Sequence, residues 1–277
     1  MLFLILSIVS STLITVFMRI SEGKSKNEIS LLSMNYLSCC VLSYLFMENK
    51  TLFPRESGVS TVIYLGVIGG VLYLASFLLL KWNVRKNGVT LPATFMKLGV
   101  LVPTVLAAVI FREKLHAATV LGILLALVAI LLLKEKSSEK AKNTFGLILL
   151  LAGGGMADAM SKIFEETAPQ SLSNHFLFYI FFVALLLSVG LVIVKKQKYH
   201  PYDVAFGLLI GIPNYFSARF LLLSLGSVPA VIAFPSFCVA TIAVVSAAGM
   251  LLFREKISRR QSIAMAIILV ALVLLNI

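Results

Sequence analysis

Phe111-Arg112-Glu113-Lys114-Leu115 returns 142 residues later as Phe253-Arg254-Glu255-Lys256-Ile257. Each copy closes one apolar run and opens the next, so the pentapeptide marks the same junction twice. In a chain of 277 residues that spacing divides the sequence into two related halves. Sliding the second half over the first aligns three further stretches at nearly the same offset. Arg19-Ile20 and Glu22 meet Lys162-Ile163 and Glu165, Gly69 and Tyr73 meet Gly211 and Tyr215, and Leu127-Val128-Ala129 meets Leu269-Val270-Ala271. Their common order is hard to obtain from biased composition alone.

Hydrophobic residues make up 60% of the chain and charged residues 13%, about half the charged fraction of an ordinary soluble domain. Such a chain lives in a bilayer. Its apolar runs are continuous and do not alternate, so they read as helices and not as barrel strands. Met1 leads straight into an apolar stretch without a basic region or cleavage site, and that stretch is expected to be a first span and not a removed signal. Windows of about 20 apolar residues fall near 2–20, 30–47, 60–81, 89–110, 116–133, 144–164, 172–194, 203–224, 228–252 and 258–276. The hydrophilic stretch from Lys134 to Asn143 separates the fifth window from the sixth.

The expected fold is an all-α polytopic membrane protein of ten transmembrane helices. Residues 1–133 and 144–277 form two five-helix repeats joined by a basic linker at 134–143. An odd number of spans in each repeat makes the second enter the membrane in the opposite sense, which is an inverted repeat. Of the 24 Lys and Arg residues, 17 fall in the connections after odd-numbered spans. By the positive-inside rule this places those connections in the cytoplasm and both termini outside.

The net charge of +12 is spread over short loops, where it suits anionic lipid headgroups and not nucleic acid. Cys39, Cys40 and Cys238 lie inside apolar runs without metal spacing and read as packing residues. His116, His175 and His200 sit at span edges or in loops. No HExxH cluster, nucleophile elbow or GxxxxGK[ST] loop is present, so no catalytic residue, metal ligand or cofactor is expected, nor direct ATP coupling within this chain.

Ionisable residues within spans are costly, at roughly 2.5–3.5 kcal/mol each near a helix centre, and point to function. Lys97 lies about 12 Å along the fourth span and just before Pro103, which cannot donate to the Gly99 carbonyl. Arg219 lies nearer the end of the eighth span, preceded by Asn214 and Tyr215. These four residues are the candidate substrate ligands, although Asn35, Asn214 and Tyr215 serve equally well as interhelical hydrogen-bonding groups. Asp158 and Lys162 share one face of the sixth span at i, i+4 spacing. They read either as a structural ion pair or as a coupling site in which Asp158 carries a proton. Pro103, Pro213 and Pro235 interrupt their spans and read either as simple kinks or as binding-site breaks or gating hinges, and with Gly154, in the run Gly153-Gly154-Gly155, they are the candidate hinges. The turns at Glu113 and Glu255 read as structural, paired with their neighbouring Arg and Lys residues.

Leu101-Val102-Pro103 through Phe111-Arg112-Glu113-Lys114-Leu115 to Leu121-Gly122, and Gly211 through Pro229-Ala230 to Glu255-Lys256-Ile257, resemble the EamA-type members of the drug/metabolite transporter superfamily. The resemblance covers nearly the whole chain. It implies a multi-pass protein of the bacterial cytoplasmic membrane that moves metabolites or drugs through a central cavity. It also implies cytoplasmic termini, against the charge count above. Small multidrug members of that superfamily use a glutamate in their first span, whereas here no acidic residue precedes Glu22. Because the ionisable residues in the spans lean cationic, the expected cargo is a carboxylate-bearing metabolite such as an amino acid or organic anion. A cationic drug exporter coupled through Asp158, and a lipid translocator or non-transporting scaffold, stand as alternatives. The expected partners are the small-molecule substrate and the lipid bilayer, with a homodimer left open.

Overall fold

The computed structural model describes residues 1–88, 90–133, 143–254 and 258–277. Most of the basic linker, and Glu255-Lys256-Ile257 of the second pentapeptide, lie outside the described residues. The described residues contain no strand. They form α1 (Leu2–Ser21), α2 (Glu28–Leu45), α3 (Val59–Asn87), α4 (Thr90–Leu98), α5 (Leu101–Val109), α6 (Ala117–Leu132), α7 (Thr144–Thr167), α8 (Ser173–Val194), α9 (Pro201–Leu225), α10 (Ala230–Phe253) and α11 (Arg259–Leu275). Each apolar window read from the sequence falls on helix, the fourth on α4 and α5 together. Eight of these segments are long and apolar enough to cross a membrane, with α4 and α5 counted as one segment, Leu91–Val109. Outward-facing side chains such as Tyr64, Val109 and Val194 are apolar and largely exposed, as expected of surfaces solvated by lipid.

The three span prolines differ from one another. Helices α9 and α10 run unbroken through Pro213 and Pro235. Beside Pro213, the Ser38 hydroxyl and the Cys39 thiol donate to the Leu208 and Gly211 carbonyls and tie α9 to α2. The fourth span does break, at Gly99-Val100. The Gly99 carbonyl nevertheless finds a donor there: the Val102 amide tightens by one residue and donates to it at 2.9 Å. Pro103 therefore leaves no open acceptor for Lys97 at that carbonyl.

The arginines of the twin pentapeptides share a backbone conformation. Arg112 and Arg254 take left-handed conformations, with φ of 53° and 54°. Both therefore close a helix with the conformation more often adopted by glycine. The opening of α11 is fixed separately by a capping box, with Ser258 accepting from the Gln261 amide and Gln261 accepting from the Ser258 amide.

Two compact units make up the chain. One comprises Met1–Leu74 and Ile163–Ser224, the other Ala75–Lys162 and Leu225–Ile277. Each takes residues from both sequence halves, so they interleave the division at 134–143.

In the first unit α2 packs along α8. Glycines set the closest approaches. A Cβ on Gly66 or Gly70 of α3 would meet Tyr179 or the Ile180 carbonyl of α8, and one on Gly207 or Gly211 of α9 would meet the Leu31 or Asn35 carbonyl of α2. These are two small-xxx-small contacts of the kind that lets membrane helices touch backbone to backbone. Asp203, fully buried in the first turn of α9, accepts from the Ser25 hydroxyl and from the amides of Lys26 and Asn27. It thereby fixes the entry to α2.

In the second unit α6 packs along α11, with α10 against α5, α6 and α11. Its core joins Ala126, Ala129 and Ile130 to Cys238, Val239, Ile268 and Ala271. The start of α7 is tied to the end of α3 by buried asparagines. Asn83 donates to the Gly146 carbonyl at 2.9 Å, and Asn87 accepts from the Asn143 amide at 2.9 Å.

Candidate functional site

In the second unit the site is set by the approach of α7 to the break between α4 and α5. A Cβ on Gly99 would crowd the Gly155 amide and the Leu151 carbonyl, and one on Gly155 would crowd Gly99 and Val102. Only glycine at both positions permits this contact. Lys97 lies two residues before it on α4, and Asp158 three residues after it on α7. Both keep exposed side-chain surface, and Lys97 acts electrostatically on Asp158. The Cys238 thiol of α10 lies in the field of both charges and approaches the Lys97 carbonyl at 3.8 Å. On α10 beside it, the Ser236 and Thr241 hydroxyls are buried without a hydrogen-bond partner among the described residues.

Lys162 corrects a sequence expectation. Its spacing suits Asp158, but the ammonium is bound to the Glu113 carboxylate at 2.8 Å, and its side chain is only 4% exposed. It also lies over the Phe111 ring. Glu113 is the better partner because α10 fixes it in place: the Ala230 and Val231 amides donate to its two oxygens at 3.1 and 2.9 Å, at the positive end of the helix. Burial opposes the charge on Glu113, but Lys162 and these two amides hold its pKa below the ordinary glutamate value. Glu113 is thus paired across the fold and not with its chain neighbours. The corresponding expectation for Glu255 lies outside the described residues.

A separate polar chain crosses the first unit. Arg219 donates to the Tyr215 hydroxyl at 3.1 Å, Tyr215 donates to the Asn174 side-chain oxygen at 2.9 Å, and Asn174 donates to the Phe46 carbonyl at 2.7 Å. The guanidinium also lies 4.5 Å from the centre of the Phe46 ring, within cation–π range. Asn214 donates to Asn35 at 2.8 Å. Arg219, Tyr215 and Asn214 therefore all sit in the first unit and Lys97 in the second. Tyr215 is fully buried and its hydroxyl is engaged on both sides, which is how an interhelical strut is built. Arg219 is half-buried and spends one of its five N–H donors on Tyr215.

The family model described as the EamA-like transporter family matches residues 1–134. That match over the first half is consistent with the EamA-type drug/metabolite transporter superfamily, a family of membrane transporters of small molecules. The chain is 22% identical to an uncharacterized protein of Haemophilus influenzae, across 92% of this chain and 91% of that protein. A solved crystal structure superimposes with a TM-score of 0.79 at 15% identity, covering 99% of this chain and 94% of the other. The fold thus has an experimental counterpart over nearly its whole length.

Sequence reasoning passed over Asn174, the middle of the polar chain, and Asp203. Asn174 carries no local signal, since it lies at the start of an apolar helix and its partners are 41 and 128 positions away. Asp203 was legible as an acid in the first turn of a helix, but not as the acceptor for a loop 176 positions earlier.

Proposed function

We propose that this EamA-like protein is a secondary transporter that moves a small carboxylate-bearing metabolite across the bacterial cytoplasmic membrane, with Lys97 as the anchor for the carboxylate. The observation that carries this reading is the state of Lys97: an exposed ammonium within a membrane-spanning segment, with no hydrogen-bonded acid among the described residues. A charge in that position is costly unless it serves a ligand or a water-filled path. Lys97 acts electrostatically on Asp158, so a cationic cargo at Asp158 would have to compete with a resident cation. This weighs against the cation-export alternative.

We read the architecture as ten spans in two inverted repeats. The twin left-handed arginines support it, as does the packing of α2 on α8 and of α6 on α11. Each of those pairs joins a helix to its counterpart in the other half, as expected around a pseudo-two-fold axis. Alternating access then follows from rocking of helices about the fixed anchor.

The test is flux of radiolabelled amino acids and organic acids into liposomes holding the purified protein. Lys97→Met is expected to abolish uptake of whichever carboxylate is carried while the folded yield stays unchanged. Undiminished uptake by that variant removes Lys97 from the mechanism.

A further inference from the structure

The second unit holds two cation–carboxylate pairs, and they are built differently. Glu113 and Lys162 form a closed pair, in direct contact, with the carboxylate further fixed by two backbone amides. Lys97 and Asp158 form an open pair. They interact electrostatically and both keep exposed surface, yet among the described residues neither charged end makes a hydrogen bond. A pair that contributes to stability is expected to resemble the first. The second retains its capacity for other partners.

We propose that Lys97 exchanges carboxylates during transport, facing Asp158 when the site is empty and the solute's carboxylate when it is loaded, and that Asp158 takes a proton from water on each loading. This rests on the reading of Lys97 as the solute's anchor and adds the coupling ion. In the empty state the ammonium balances the Asp158 carboxylate. In the loaded state it balances the solute's carboxylate, and Asp158 is a neutral acid. Net charge at the site is zero in both states, so neither state carries an unbalanced charge through a medium where one is costly. One carboxylate and one proton cross together, and the cycle moves no net charge.

The other titratable groups around Asp158 leave this exchange to Lys97. On α7 itself, Lys162 is committed to Glu113. On α10, Cys238 directs its thiol to the Lys97 carbonyl. The close contact of Gly99 with Gly155 fixes the spacing of α4 and α7. It therefore fixes how far the ammonium must swing between its two partners.

The first test needs no substrate. Infrared spectra of the purified protein at neutral pH are expected to show a protonated-carboxyl band in Lys97→Met that is missing from the unmodified protein and from the double variant Lys97→Met/Asp158→Asn. Absence of that band in Lys97→Met overturns the proposal, because the charge on Asp158 then does not depend on the lysine. The second test uses pyruvate, L-glutamate and benzoate as probes in proteoliposomes, under an imposed pH gradient or an imposed voltage. Flux is expected to follow the pH gradient severalfold and to ignore the voltage, and Asp158→Asn is expected to lose the pH dependence. Voltage-driven flux that still requires Lys97 overturns the one-to-one exchange while leaving the anchor in place. If no probe moves, or if Lys97→Met transports normally, the carboxylate reading falls and the exchange falls with it.

Discussion

Glu113 bonds Lys162 at 2.8 Å while accepting the first two amides of α10, so one carboxylate joins the turn after α5, the body of α7 and the start of α10. Removing one member of a buried pair leaves the other charge uncompensated, at a cost of about 3–5 kcal/mol. Glu113→Ala and Lys162→Met are each expected to destabilise the protein by that order. The double variant is expected to cost less than the sum of the two. Thermal unfolding in detergent across the full mutant cycle checks this, and strict additivity would show that the two residues are not coupled.

The same pair sets a pH dependence. Because the folded-state pKa of Glu113 lies below its ordinary value of 4.5, its contribution to stability is fully present above about pH 4.5. It is lost as the pH falls through the folded value. Unfolding temperatures measured at descending acidic pH are expected to fall more steeply for the unmodified protein than for Glu113→Gln, which has no proton to gain there. Parallel curves would place the acid sensitivity elsewhere.

Tyr215 is expected to matter for folding more than for cargo. Its hydroxyl joins Arg219 to Asn174, and Tyr215→Phe leaves a buried amide oxygen without its donor. That costs about 1–3 kcal/mol. The expected result is a lower unfolding temperature with the apparent KM for the transported solute unchanged. A selective rise in KM at unchanged stability would instead move Tyr215 into the binding site.

The helices were readable in this sequence because continuous apolar runs near 20 residues have few alternatives in a bilayer. Interaction partners were much less readable. Asp158 and Lys162 have ideal helical spacing, but spacing along one helix says nothing of a carboxylate 49 positions away that another helix already holds in place. Pro213 and Pro103 are alike in sequence, yet only the span of Pro103 breaks. Their surroundings differ in ways that belong to tertiary structure: Gly99 lies against Gly155, whereas hydroxyl and thiol donors on α2 bond α9 beside Pro213. Nor did the sequence mark which glycines make the close helix contacts: the pairing of Gly69 with Gly211 by offset misses Gly66, Gly70 and Gly207, which with Gly211 lie against backbone or Cβ atoms of neighbouring helices.

Neighbouring glycines of α7 give opposite expectations, which makes them a sharp test of the packing. A Cβ on Gly154 meets nothing within 4 Å, whereas one on Gly155 runs into Gly99 and the Val102 side chain. Gly154→Ala is therefore expected to raise stability by up to about 1 kcal/mol, through the lower conformational entropy of alanine in the unfolded chain. Gly155→Ala is expected to lower it by about 1–3 kcal/mol, because the α7 backbone must move away from Gly99. Unfolding temperatures of the two variants decide this part, and flux adds a second reading. If Gly154 acts as a hinge, its alanine variant is more stable but slower, with KM unchanged. If the helix moves as a rigid rod, the rate is unchanged. Gly155→Ala separates Lys97 from Asp158 and is expected to reduce flux in either case. Normal flux and stability in that variant would mean that the Gly99–Gly155 contact does not set the spacing on which the carboxylate exchange depends.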